Sequence, residues 1–162
     1  MLLEFFNTLI KTYSYFGIFL VSLIGSASIF FPLPSTFVVF AAALFLDPFL
    51  LGLVGGLGAA IGEFTGYGIG VGGRKLIKKK WKKSMNKTEK LFQKYGGFLI
   101  IAIFAATPLP DDIVGILGGS LKYPVKKFFI ATLIGKLILH WILAYGGFYG
   151  INWILDIFAF ST

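Results

Sequence analysis

All six prolines of the chain fall into two triplets on one spacing: Pro32, Pro34 and Pro48 recur as Pro108, Pro110 and Pro124, each 76 residues further on. Each triplet opens with a Pro-Leu-Pro step inside an apolar stretch, residues 17–45 in the first half and 96–121 in the second. Proline lacks an amide N–H, and its ring clashes with the carbonyl one turn earlier. Two prolines so close break a helix outright, so each half must accommodate a broken apolar segment. A shorter similarity runs alongside, Tyr15-Phe16-Gly17-Ile18-Phe19-Leu20 against Lys94-Tyr95-Gly96-Gly97-Phe98-Leu99. The chain therefore reads as two repeats, about residues 1–75 and 84–150. Each has a surface helix, a Pro-broken segment and an unbroken apolar run.

What solvent such segments require follows from composition. Hydrophobic residues make up 57% of the 162 and charged ones 14%, where soluble domains carry roughly 25% charged residues. So small a body cannot hide that much apolar surface. The expected fold is all-α, a single polytopic membrane domain over residues 1–162, with the unbroken runs 49–73 and 128–150 as spanning helices. At about 1.5 Å per residue either run crosses a hydrocarbon core of about 30 Å. Residues 1–15 read as a short interfacial helix and 151–162 as a short apolar tail. No cleavable signal is expected, because Glu4 precedes the first basic residue, Lys11. The chain has no cysteine and one histidine, so neither a thiol nucleophile nor a Cys-ligated metal is available. No nucleophile–base pair is visible, and no catalytic residue, metal or cofactor is expected.

Charge sets the topology. Ten of the 15 basic residues lie between Arg74 and Lys94, and the others are Lys11, Lys122, Lys126, Lys127 and Lys136. Binding to nucleic acid is one reading of such a cluster; a cytoplasmic loop obeying the positive-inside rule is the one adopted. Within it, residues 84–95 read as a surface helix, with Ser84 and Thr88 as caps. If residues 96–121 crossed the membrane, Lys94 and Lys122 would lie on opposite faces. If the segment enters and returns, turning at Pro108-Leu109-Pro110-Asp111-Asp112, both stay cytoplasmic. The first half then does the reverse, its hairpin entering from outside and residues 49–73 crossing inward to Arg74. The halves become inverted repeats with opposed re-entrant tips, an arrangement that suits a transporter site near the midplane. Six or so ordinary kinked spanning helices are the alternative.

Several residues carry the chemistry such a site needs. Gly58, Gly62, Gly66 and Gly70 recur every four residues along one helix face and permit close backbone packing; with no preceding strand and no following Lys-Ser/Thr they are not a nucleotide loop. Glu63 lies mid-helix, where a lone carboxylate in lipid costs about 2.5–3.5 kcal/mol or more. Its expected partner is Lys136, the basic residue deep in the other spanning run, either as a static pair or as a proton- or substrate-linked one. Asp111 and Asp112 follow the second Pro-Leu-Pro step, and Ser35 and Thr36 follow the first. Both sets suit helix capping, and both also place polar groups at a cavity. His140, one turn beyond Lys136, reads as a hydrogen-bonded structural group or a proton relay.

These motifs resemble the DedA family, whose domain is also called VTT or SNARE-associated. Gly58-Ala59-Ala60-Ile61-Gly62-Glu63-Phe64-Thr65-Gly66-Tyr67-Gly68-Ile69-Gly70 is similar to its G-x-x-x-G-[D/E]-x-x-x-Y-x-x-G helix. Pro32-Leu33-Pro34 matches its first hairpin, and Phe104 to Gly119 with Lys122-Tyr123-Pro124-Val125-Lys126-Lys127-Phe128 resembles its second hairpin and following basic segment. The resemblance implies re-entrant hairpins and movement of polyprenyl-phosphate or phospholipid headgroups, with ion coupling. Many bacterial members carry an acidic residue where this chain has Thr36, and two arginines where it has Ala105 and Asp111. Guanidinium groups are natural phosphate ligands; without them the acidic second tip favours a cation, a proton, or a zwitterionic or amine-bearing headgroup.

The expected activity is lipid flipping or scrambling at a headgroup site between the hairpins, in a multi-pass protein of the cell membrane. Its partners are membrane lipids, anionic headgroups at the basic loop, and a second copy if the chain oligomerises. Rival readings are a proton- or cation-coupled solute transporter and a structural protein that holds anionic lipid or a partner through its basic loop.

Overall fold

The computed structural model describes residues 2–27, 35–73, 82–107 and 112–159, and every regular element among them is an α-helix. In chain order these are α1 (Leu2–Ala27), α2 (Ser35–Ala42), α3 (Pro48–Gly72), α4 (Lys82–Tyr95), α5 (Gly97–Ala105), α6 (Asp112–Ser120) and α7 (Val125–Ala159). Pro32, Pro34, Pro108, Pro110 and Asp111 lie outside the described residues. Described helices flank both Pro-Leu-Pro steps. Pro48 sits in the first turn of α3, where its missing N–H costs no helical bond, and the Asp47 carboxylate caps that turn by accepting from the Leu50 amide at 2.9 Å.

Three sequence expectations need correction. Residues 1–15 are not a separate interfacial helix: α1 runs unbroken to Ala27, because it holds no proline and its glycines, Gly17 and Gly25, cost only about 1 kcal/mol each. Residues 151–159 are likewise no detached tail but the end of α7, 35 residues long. Ser84 and Thr88 are not caps, since α4 opens at Lys82 and both lie inside it.

Segments 48–72 and 125–150 are long and apolar enough to cross a membrane. They pack antiparallel. Gly52 faces Trp141, Gly56 faces Leu137 and Phe64 stacks on Phe129 at 5.4 Å, so one index falls as the other rises. Helices α1, α2, α5 and α6 run parallel to the long helix they cover. A Cβ added at Gly58 would strike the carbonyl oxygen of Phe19, and one at Gly62 that of Leu23, which places α1 along α3. On the other flank of α3, Gly115 and Gly119 of α6 press against Gly66 and Tyr67. Around α7, Gly135 meets Ala102 and Ala105 of α5, while Gly147 meets the Phe40 carbonyl and Ala43.

One contact links the flanks of each Pro-broken segment. The Asp47 amide donates to the Tyr15 hydroxyl oxygen at 2.9 Å, joining the middle of α1 to the start of α3. The Phe92 ring lies edge-on to Tyr123 at 5.7 Å, joining the end of α4 to the turn before α7. The outer surface exposes Phe37, Phe45, Leu99, Ile103, Ile130 and Ile142. Such a surface is the inverse of a soluble protein's and is stable against hydrocarbon.

A buried ion pair between the two long helices

Gly52, Gly55 and Gly56 on α3 let Trp141, His140 and Leu137 of α7 approach closely, and the polar groups between the two helices are sealed there. Lys136 Nζ lies 3.1 Å from Glu63 Oε1, with the two residues 1% and 2% exposed. At an effective dielectric near 20, charges at that distance attract by about 5 kcal/mol. Removing both from water costs several kcal/mol per ion. The pair therefore adds little net stability over a packed apolar pair, and its presence calls for another reason.

Further polar groups line the same seam. Thr132, Lys136 and His140 stand one turn apart along the inner face of α7, and all three are buried. His140 Nδ1 lies 2.8 Å from the Lys136 carbonyl oxygen. A carbonyl only accepts, so Nδ1 carries a proton and donates it. Ser22 of α1 completes the group. A Cβ on Gly55 would lie 2.7 Å from His140 Cδ2 and 3.4 Å from Ser22 Oγ, so the two side chains meet over this glycine. Ser22 Oγ, Thr132 Oγ1 and His140 Nε2 make no hydrogen bond with the described residues. Buried hydroxyls and imidazoles are rarely left so. Their presence beside an ion pair at membrane depth marks a polar seam rather than an apolar packing core.

Among the other sequence-marked residues, Ser35 and Thr36 open α2 and are half-buried, and Asp112 opens α6. Gly58 and Gly62 seat α1 and Gly66 and Gly70 seat α6, so the glycine row serves two neighbours, not one. Ala105 is buried, and a Cβ on Gly135 would lie 2.7 Å from its Cβ. No room for a phosphate-binding side chain exists at that point.

Sequence reading missed Ser22, Thr132 and Gly55. The four-residue spacing of Thr132, Lys136 and His140 was a legible signal for one of them. It also missed Tyr67 as a fastener: its hydroxyl donates to the Tyr123 carbonyl at 2.6 Å, while Ser120 Oγ donates to the Gly70 carbonyl at 3.2 Å.

An all-helical chain with two membrane-length helices closed around an ion pair is the framework of an integral membrane protein. Residues 33–149 match the VTT domain family, and the chain belongs to that family, also known as DedA. An uncharacterized protein of Methanocaldococcus jannaschii is similar to it, at 33% identity over 139 residues, covering 85% of this chain and 86% of that one. No solved structure matches the chain.

Proposed function

We propose that this is a multi-pass transporter of the cell membrane that moves lipid headgroups by flipping or scrambling, between two re-entrant hairpins of inverted repeats. The observation that carries the reading is the Glu63–Lys136 pair at 3.1 Å, buried between antiparallel membrane-length helices. A zwitterionic headgroup offers both of its charges a replacement partner, so the pair can open to a substrate without leaving a bare ion in hydrocarbon.

Contacts shared between the halves support the inverted repeats. A Cβ at Gly70 would strike the Ile116 carbonyl oxygen, and one at Gly147 the Phe40 carbonyl oxygen. Phe40 and Ile116 are 76 residues apart, as the prolines are, and Gly70 and Gly147 one more. Each half thus lays its short second arm on the long helix of the other. The Tyr15–Asp47 and Phe92–Tyr123 closures support hairpins that return to the face they entered. With the basic stretch 74–94 cytoplasmic, Lys94 and Lys122 share that side and Tyr15 and Asp47 the opposite one. In this reading the basic loop also holds anionic headgroups, and nucleic acid is not a partner.

Ser35 and Thr36 on one tip and Asp111 and Asp112 on the other give the cavity opposite electrostatic signs. Proteoliposomes with labelled lipids test the reading: Glu63→Gln abolishes translocation while the folded protein persists. Asp111→Asn with Asp112→Asn depresses amine-bearing lipids most. A second reading, a cation- or proton-coupled solute transporter, draws on the closed packing at Ala105, which leaves no phosphate grip there. Ion flux without lipid movement in the same vesicles would favour it.

A further inference from the structure

Far along the chain from the ion pair, at the end of the molecule that carries the lysines, a cavity of about 250 Å³ is lined by Glu89, Phe92, Gly97, Leu121 and Tyr123. It is smaller than the roughly 300–1,000 Å³ of drug-sized sites, so its occupant is a small group. Two of its walls are aromatic, Phe92 and Tyr123 meeting edge-on with centroids 5.7 Å apart and planes at 77°. Gly97 forms the floor: a Cβ there would lie 2.6 Å from Tyr123 Cε2 and 2.8 Å from Phe92 Cδ2.

The corner is held in place by its backbone. Tyr123 N–H donates to Gly118 at 2.9 Å and Lys122 N–H to Gly119 at 3.0 Å. The Tyr67 hydroxyl fixes the Tyr123 carbonyl from below. Lys122 adopts φ 54 to make the turn, a left-handed conformation that a non-glycine residue takes only at a cost. Burial raises the Tyr123 phenol above the usual tyrosine range, so it stays a neutral hydroxyl.

Glu89 supplies the remaining wall. It is exposed, makes no ion pair among the described residues, and is the acidic residue of a helix that also holds Lys82, Lys83, Lys87, Lys90 and Lys94. A carboxylate beside two aromatic rings selects an ammonium group. The adjacent Lys94 already shows that chemistry, its Nζ standing 4.8 Å over the Tyr95 ring. Exposed Lys87, Lys90 and Lys94 on the same helix, with exposed Lys122 next to Tyr123 in the chain, add a demand for an anion covalently tied to that ammonium. Next to the floor, exposed Phe98 and Leu99 offer an apolar path for acyl chains.

We propose that this corner is an interfacial binding site for the ammonium-phosphate headgroup of an amine-bearing phospholipid. Glu89, Phe92 and Tyr123 hold the ammonium, and the neighbouring lysines hold the phosphate. The site lies outside the transport route proposed above and does not depend on it.

Native mass spectrometry of the purified full-length protein, titrated with phosphatidylethanolamine or phosphatidylglycerol, tests the assignment. The unaltered protein retains phosphatidylethanolamine in preference to phosphatidylglycerol. Glu89→Gln, a surface change that leaves packing intact, lowers phosphatidylethanolamine retention roughly fivefold, in line with about 1 kcal/mol for an exposed charge and cation–π contact. Gly97→Ala, which forces the rings apart, acts in the same direction. Unchanged retention in Glu89→Gln would overturn the proposal, as would equal retention of both lipids by the unaltered protein. Displacement by soluble phosphoethanolamine at concentrations matching the lipid would overturn the lipid assignment in favour of a free zwitterion.

Discussion

The two short arms that follow the Pro-Leu-Pro steps are placed alike and fastened differently. On α3, the α6 arm interlocks through Gly66, Gly70, Gly115 and Gly119, and side chains tie it down: Ser120 to the Gly70 carbonyl and Tyr67 to the Tyr123 carbonyl. On α7, the α2 arm rests on Gly147 through the Phe40 carbonyl and Ala43, with Val39 buried and Phe37, Phe40 and Phe45 exposed. No side-chain hydrogen bond joins α2 to α7 among the described residues; its nearest tie is the Tyr15–Asp47 bond beyond its end. Equivalent seams with unequal fastening teach that the halves are not interchangeable: side-chain hydrogen bonds tie α6 and the turn after it to α3, and α2 packs on α7 without one among the described residues.

The largest expected effect lies at the ion pair that both arms flank. Lys136→Met leaves a buried carboxylate without its cation and should cost about 3–5 kcal/mol, whereas Glu63→Gln with Lys136→Met should recover most of that. Thermal unfolding of the single and double variants in nanodiscs checks it; equal losses in both would show that the cost is packing alone. Next come the glycines. Gly70→Ala drives a methyl into the backbone of a fastened arm and should cost about 1–3 kcal/mol. Gly147→Ala meets an arm without such ties, so its loss should be smaller by the same melting measurement. A reversed order would break the comparison.

Smaller effects follow at the fasteners themselves. Tyr67→Phe deletes one hydrogen bond and should cost about 1 kcal/mol. Hydrogen exchange should quicken at residues 121–124 in this variant and not in α2. Ser120→Ala, at a longer bond of 3.2 Å, should cost about 0.5 kcal/mol and move α6 exchange slightly.

Much of this architecture was legible in residues. The lone acid in one apolar run and the lysine in the other identified the 3.1 Å pair, while the Pro-Leu-Pro steps read as breaks lie outside the described residues. Such signals are local: a proline breaks whatever helix it enters, and a charge in hydrocarbon must find its opposite. The helix end at 15 was misread because aromatic residues suggested an interface, while no proline interrupts the helix there. Ser22 was invisible because its burial depends on α1 lying along Gly58 and Gly62, a matter of helix direction that the face pattern of α3 alone does not state. The Tyr67–Tyr123 bond joins residues 56 apart and likewise emerges only from the packing of α6.

The comparison rests on both Pro-broken segments returning to the face they left, on opposite sides of the membrane. Because the chain has no cysteine, single cysteines placed at Ser14, Asp47, Lys94 and Lys122 report this directly by labelling with a membrane-impermeant maleimide in intact cells. The account predicts that Ser14 and Asp47 label from outside, and that Lys94 and Lys122 label only after the membrane is opened. Labelling of Ser14 and Asp47 from different sides, or of Lys94 and Lys122 from different sides, would contradict it.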